Sequence, residues 1–257
     1  MKKTIRLLLL VIFLASLIIF IWSVSGLIGR GQTQAAYEAI AQDRSGGNSE
    51  DQTSWSIEQA SPSETQAKEN TYTYQSNENT HWIDINPDFF GFIKIEGTRI
   101  DYPYVRNQDN EDYLNLDFYG KESDAGAIFM DYRNLGNFND QHTVLYGHYM
   151  KNGTMFHNLT LYHDQAFLKD HPTIDISSLY DEKTFEIFSV YEISADDYAL
   201  ELNFTTDELY EKYLDSLAAL SMHPSNFSAS SDKRLLTLVT CSYGVDNGRT
   251  IIHAIER

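Results

Sequence analysis

Cysteine, positive charge and long apolar runs are all scarce in this sequence. Cys241 is the only thiol among 257 residues. No disulfide can therefore close within the chain, and no metal site can be assembled from several thiolates. A lone cysteine is ordinarily a small buried hydrophobe, and composition alone does not lift Cys241 out of that class. Bases number 19 against 37 acids, a formal net charge of -18. Setting aside Lys2, Lys3, Arg6 and Arg30 leaves 15 of those 19 bases to face all 37 acids. A surface so acidic repels phosphate backbones, which excludes nucleic acid as a partner, and it disfavours lying flat on an anionic bilayer. There is no HExxH and no internal repeat, and the histidine spacings between His142 and His171 match no standard metal site.

The one long apolar run, LLLLVIFLASLIIFIW at residues 7–22, follows Lys2, Lys3 and Arg6. Weaker apolar character continues to Ile28, giving 22 residues. At about 1.5 Å per residue such a helix would span a bilayer core of roughly 30 Å. The expectation is a cytoplasmic tip and transmembrane signal anchor over residues 1–30. The positive charges before the run put the N-terminus inside and the remainder of the chain outside the cell membrane. The alternative is a cleaved signal peptide, for which residues 33–36 offer only a weak processing site. Residues 31–78, rich in Gln, Ser, Asn, Thr and Glu, read as a flexible polar spacer. A short helix is expected at 34–42, where Ala35, Ala36, Ala39 and Ile40 share a face.

Over residues 79–257 the texture changes. Short β-rich runs (FGFIKI, IDYPYV, AGAIFMDY, HTVLYGHY, KTFEIFSVYEI, LLTLVTC and RTIIHAI) are separated by Gly, Asn and Asp. Helical signals are few. Thr205 and Glu208 suggest a capping box ahead of a helix over 205–220, and a second helix is expected over 155–168. Many strands, few helices and no βαβ alternation predict a mainly β domain, a closed or nearly closed barrel with helices at its periphery.

Chemistry concentrates near the C-terminus. Residues 235–240 and 250–255 both alternate, and Asp246-Asn247-Gly248 between them is a turn signal. An antiparallel hairpin is expected, with Cys241 closing its first strand and Arg249 opening its second. A thiol at a strand end beside a cation is placed to react. At its ordinary pKa of roughly 8.5 it still needs a proton partner. His148, after Gly147 at the end of the run HTVLYGHYM, is best placed to be that partner. His142 reads as a turn residue, His157, His163 and His171 as makers of local hydrogen bonds, and His253 as a packed or edge residue.

TLVTC at 237–241 with Arg249 eight residues after the cysteine resembles the sortase signature, and LYGH at 145–148 resembles the histidine motif of that family. NPDFFGFIKIEGTRIDYPYV at 86–105, DNEDYL at 109–114 and AGAIFMDYRN at 125–134 resemble class B sortases in particular. The resemblance implies an eight-stranded sortase β-barrel in 79–257 and a cysteine transpeptidase. Such an enzyme cleaves a C-terminal sorting motif of a secreted protein after its threonine. It passes the acyl group to an amine of cell-wall precursor or of a pilin subunit. Cys241 would be the nucleophile, His148 the acid/base and Arg249 the oxyanion stabiliser. Asn110, Leu114, Tyr146, Val239 and Tyr198 would line the peptide groove. Val239 replaces the serine common at its position, which removes a side-chain hydrogen bond there. No cofactor or metal is carried over. Two other readings compete. A papain-like peptidase would place its cysteine before its histidine, the reverse of the order here. A membrane-anchored binding or scaffold module would not need the three polar residues.

Overall fold

The structure, a computed structural model, describes residues 2–46, 80–136, 138–242 and 247–257. Eight strands close into one barrel in the order β1-β2-β3-β4-β7-β8-β6-β5. They are β1 (Phe89–Lys94), β2 (Asp101–Val105), β3 (Ile128–Met130), β4 (His142–Tyr146), β5 (Thr173–Ser178), β6 (Glu182–Ser194), β7 (Leu235–Ser242) and β8 (Gly248–Glu256). Two neighbouring pairs, β2 with β3 and β4 with β7, run parallel, and the others run antiparallel. Closure leaves no open sheet edge, which protects so strand-rich a chain from edge pairing.

The period-two pattern of β7 shows how the barrel is filled. Leu236 and Leu238 enter the central core with Phe92, Ile93, Ile128 and Ile252. On the other face, Leu235 packs beneath the helix Asp207–Ala219 with Tyr210, Leu214 and Leu217, and Val239 packs with Val144 and Leu202. β7 is thus buried on both sides, which is why its sequence is almost continuously apolar. The helix expected over 205–220 is Asp207–Ala219, but its cap is Thr206 and not Thr205: the Thr206 side chain accepts from the Leu209 amide at 3.3 Å. The helix expected over 155–168 divides into a 3-10 segment (Phe156–His163) and an α-helix (Gln165–Asp170) at Asp164, whose carboxylate caps the second piece through the Ala166 amide.

The N-terminal expectation is corrected. Lys2–Gly46 forms one helix, α1, of 45 residues. Among the described residues no helix is long and apolar enough to cross a membrane. The transmembrane anchor, and with it the single-pass topology and the extracellular placement of the catalytic domain, is therefore set aside. The physical reason lies in the run itself. Residues 7–22 make 16 residues and about 24 Å of helix, short of a bilayer core of roughly 30 Å, and lengthening the run enlists Ser23, Ser25 and Gly26. Residues 31–46, read as the start of a spacer, are the last turns of α1, and they lie against the barrel. The buried face there is Thr33, Tyr37 and Ile40, not the alanines at 35, 36 and 39. The Tyr37 hydroxyl donates to the Gly126 carbonyl and accepts from the Phe118 amide, each at 3.1 Å, and Arg44 pairs with Asp101 at 2.8 Å. The rest of the expected spacer, 47–78, and Asp246 of the hairpin turn lie outside the described residues.

His142 is not a turn residue. It opens β4 and is fully buried in a chain of hydrogen bonds across four strands. Its Nδ1 lies 2.6 Å from the Glu201 carbonyl and its Nε2 lies 2.7 Å from the Thr237 hydroxyl. Thr237 in turn meets His253 Nδ1 at 2.7 Å, and His253 Nε2 meets the Tyr191 hydroxyl at 3.0 Å. A carbonyl can only accept, so His142 Nδ1 donates. With both rings neutral every direction is determined: Tyr191 donates to His253, His253 to Thr237, and Thr237 to His142. Burial keeps both rings neutral, pushing His142 down to about 4 from 6.5 and His253 well below its ordinary value. The unfolded chain therefore binds protons that the fold refuses between pH 6.5 and about 4. Stability should fall as the pH is lowered through that window and return above it. Thr237→Val strands a nitrogen of each histidine in the interior and should cost about 2–4 kcal/mol. Urea melts of both proteins at two pH values, one inside the window and one above it, check both statements. Equal midpoints for the unsubstituted protein would contradict the neutral pair.

Candidate active site

Strand register brings the singled-out residues to one rim of the barrel. Tyr146 at the end of β4 pairs in parallel with Val239 of β7, and the Gly147 amide adds a hydrogen bond to the Val239 carbonyl at 3.2 Å. Two residues further along each chain stand His148 and Cys241, so they share the rim of strands that lie about 4.8 Å apart. β7 pairs antiparallel with β8, with Cys241 opposite Arg249 and Ser242 opposite Gly248. Asn247 takes the left-handed conformation (φ 50°), which asparagine tolerates better than most residues. Cys241 is placed by its backbone; its side chain lies outside the described part of the structure.

Beside this rim is a groove of about 340 Å³. His148 and Arg249 line it together with Asn110, Leu114, Tyr146, Val239 and Tyr198. Every residue singled out in the sequence for a peptide groove is thus on one wall or another. Phe129, Gly147, Ala195 and Thr240 complete the lining and were not singled out. Thr240 stands inside TLVTC and Phe129 inside AGAIFMDYRN, so both carried a sequence signal, and Phe129 pairs in register with Tyr146 and stacks on it at 5.3 Å. Ala195, just past the end of β6, carried none.

His148 is oriented by the backbone. Its Nε2 lies 2.8 Å from the Leu114 carbonyl, which can only accept, so Nε2 holds a hydrogen and Nδ1 is the nitrogen whose proton can come and go. The loop that offers this carbonyl closes tightly over Gly126 (φ 57°), where an added Cβ would stand 2.5 Å from the Tyr113 carbonyl oxygen and 3.1 Å from the His148 ring. Gly147 is equally confined, its missing Cβ leaving room for the Phe156 ring and Ile128. Arg249 is half-buried and donates to its neighbour's carbonyl at Gly248 at 3.1 Å.

Behind the groove lies an acid that the sequence patterns did not single out. Asp131 is fully buried and pairs with Arg133 at 2.9 Å. The Tyr146 hydroxyl donates to it at 2.9 Å, and the Asn110 amide donates at 3.3 Å. Tyr198 donates to the Tyr146 oxygen at 3.5 Å. Burial alone would raise the Asp131 carboxyl. The Arg133 side chain and amide and the Tyr146 hydroxyl outweigh burial and hold the carboxyl below its ordinary value, so it is ionised. Burial pushes the Tyr146 phenol up to about 12 and Tyr198 further still, so both act as hydrogen-bond donors and not as acids. Among the described residues no cluster of His, Cys, Asp and Glu could hold a metal ion.

The chain is similar to several known proteins. The Sortase domain family matches residues 93–256. Sortase B of Listeria monocytogenes is 39% identical over 170 residues, covering 65% of this chain and 69% of that protein. The crystal structure of sortase B from Clostridium perfringens superposes with a TM-score of 0.66 at 36% identity, covering 69% of this chain and 98% of that one. A sortase B–substrate complex from Staphylococcus aureus superposes with a TM-score of 0.65 at 33% identity, covering 69% of this chain and 76% of that one.

Proposed function

The chain belongs to the sortase family, in its class B, and from that premise we propose how its residues divide the work of a cysteine transpeptidase that anchors surface proteins to the cell wall. Its substrates are proteins that carry a sorting signal. Cys241 attacks the carbonyl of the residue at the cleavage point, a threonine in this reading, and forms a thioester. His148, as the imidazolium, gives its Nδ1 proton to the departing amide nitrogen. It then accepts a proton from the incoming amine as that amine displaces the thiol. Arg249 donates to the oxyanion that forms in each half of the reaction. Asn110, Leu114, Tyr146, Tyr198 and Val239 hold the peptide along the groove.

The observation that carries this reading is the register: Cys241 opposite Arg249, with His148 the same two residues past its own strand pair. That arrangement supports transfer chemistry over a non-catalytic scaffold, which has no use for the three groups on one rim. A thioester conserves the bond energy of the peptide, so an amine competes with water without ATP. The acceptor is an amine of cell-wall precursor or a lysine of a pilin subunit. The test incubates the enzyme with a library of sorting peptides, first alone and then with a wall-type peptide amine or a lysine-bearing peptide. Mass spectrometry should show cleavage in all arms and a ligated product in whichever amine arm matches the acceptor. Cleavage with no ligated product in either arm would contradict the transfer reading.

A further inference from the structure

We infer that Asp131 is a positioning residue for peptide binding, its buried carboxylate holding Asn110, Tyr146 and, through Tyr146, Tyr198 in the shape that receives the substrate. This deepens the proposed transpeptidase function and rests on it. The carboxylate sits behind the groove and is not one of its lining groups. Its contacts nevertheless reach three separate walls. Asn110 precedes the short turn Asp112–Leu114, Tyr146 ends β4, and Tyr198 lies beyond β6.

The donors account for the whole acid. Asp131 Oδ1 accepts from the Arg133 amide at 3.0 Å and from Arg133 Nε at 2.9 Å. Oδ2 accepts from Arg133 Nη2 at 2.9 Å, from the Tyr146 hydroxyl at 2.9 Å and from Asn110 Nδ2 at 3.3 Å. Each contact fixes a direction on the groove side. Tyr146 spends its only hydrogen on Asp131, so its oxygen must accept from Tyr198. Asn110 Oδ1 accepts from the Tyr132 amide at 3.0 Å, so its NH₂ faces the carboxylate. A flipped amide would set oxygen against oxygen. One hydrogen of that NH₂ is used on Asp131. A neutral side chain at 131 could not accept all five donors, and the orientation of the Asn110 amide and the Tyr146 phenol would no longer be single-valued. Arg133, 43% exposed, closes the pair on the solvent side and supplies the positive charge that keeps the buried acid ionised.

Asp131→Asn tests this in the full-length protein. Michaelis constants for a cleaved sorting peptide are compared with the rate at which iodoacetamide alkylates Cys241. A merely structural fault would lower both affinity and alkylation together. Positioning of the peptide predicts KM raised about ten-fold or more, a loss equivalent to one charge-assisted hydrogen bond, with alkylation within about two-fold of the unsubstituted enzyme. Tyr146→Phe, which keeps the ring and removes only the hydroxyl, should raise KM several-fold. The double variant should be little worse than Asp131→Asn alone, because both remove the same contact. If Asp131→Asn does not fold, Tyr146→Phe decides by itself. An unchanged KM for the foldable variants would overturn the inference, as would strictly additive effects or a parallel fall in alkylation. Failure of the unsubstituted enzyme to cleave any sorting peptide would instead sink the functional reading beneath it.

Discussion

Cys241→Ala is expected to abolish cleavage of sorting peptides, with turnover below detection. No second cysteine exists to substitute for it. Removing an essential nucleophile costs on the order of 10⁴–10⁶ in kcat in enzymes whose catalytic groups act as a unit. The loss should not be a folding artefact. Alanine tolerates the strand backbone that pairs residue 241 with Arg249, and the β7–β8 ladder continues from Thr240↔Thr250 down to Leu235↔Ile255. The melting temperature of the variant should therefore match that of the parent. Peptide should still bind, since the groove residues are untouched, and fluorescence anisotropy of a labelled sorting peptide measures that directly. Normal turnover by the variant would remove Cys241 from the mechanism.

Arg249→Lys is expected to lower kcat by about 10²–10³ with a much smaller change in KM. The oxyanion exists in the transition state and not in the bound peptide, so its stabilisation belongs to kcat. Lysine keeps the charge but has no planar fork of donors. Its ammonium cannot direct two hydrogen bonds from a backbone position fixed opposite residue 241. Arg249→Ala should be at least as damaging. Alkylation of Cys241 by iodoacetamide should continue in both variants, since the thiol remains. Steady-state kinetics and alkylation on the same preparations separate the outcomes. An unchanged kcat would take Arg249 out of the chemistry. Loss of alkylation together with turnover would make it an activator of the thiol.

Local signals were legible in the sequence, and long-range ones were not. The β7–β8 hairpin was readable because two alternating runs lie close together in the chain with turn residues between them, while its register, Ser242 opposite Gly248, comes from the structure. Once 242 pairs with 248, 241 must face 249. The seven apolar β runs all fall on strands. β5, TIDISS, escaped because Ile174 and Ile176 are its only core residues, and the others are polar. His142 looked like a turn residue beside Asp140 and Gln141. Its partners, Glu201 and Thr237, are 59 and 95 residues away, and no local pattern announces them. Asp131 lies inside AGAIFMDYRN, but its role was hidden for the same reason: its importance is a convergence of Asn110, Arg133 and Tyr146 that exists only once the barrel closes. The N-terminal apolar run misled in the other direction. Its composition resembles a membrane span, while the length of α1 and the burial of Tyr37 and Ile40 depend on residues downstream of the run and on the barrel they meet.

The central claim is that the acyl group passes through a thioester on Cys241, and intact-protein mass spectrometry tests it most directly. The enzyme is mixed with a cleavable sorting peptide in the absence of amine, quenched in acid and weighed, and the adduct is mapped by proteolysis. The account predicts a mass increase equal to the N-terminal fragment of the peptide, located on Cys241. It should disappear when hydroxylamine or a peptide amine is added and be absent from Cys241→Ala. A ligated product that accumulates with no adduct at any time, or an adduct mapped to another residue, would contradict it.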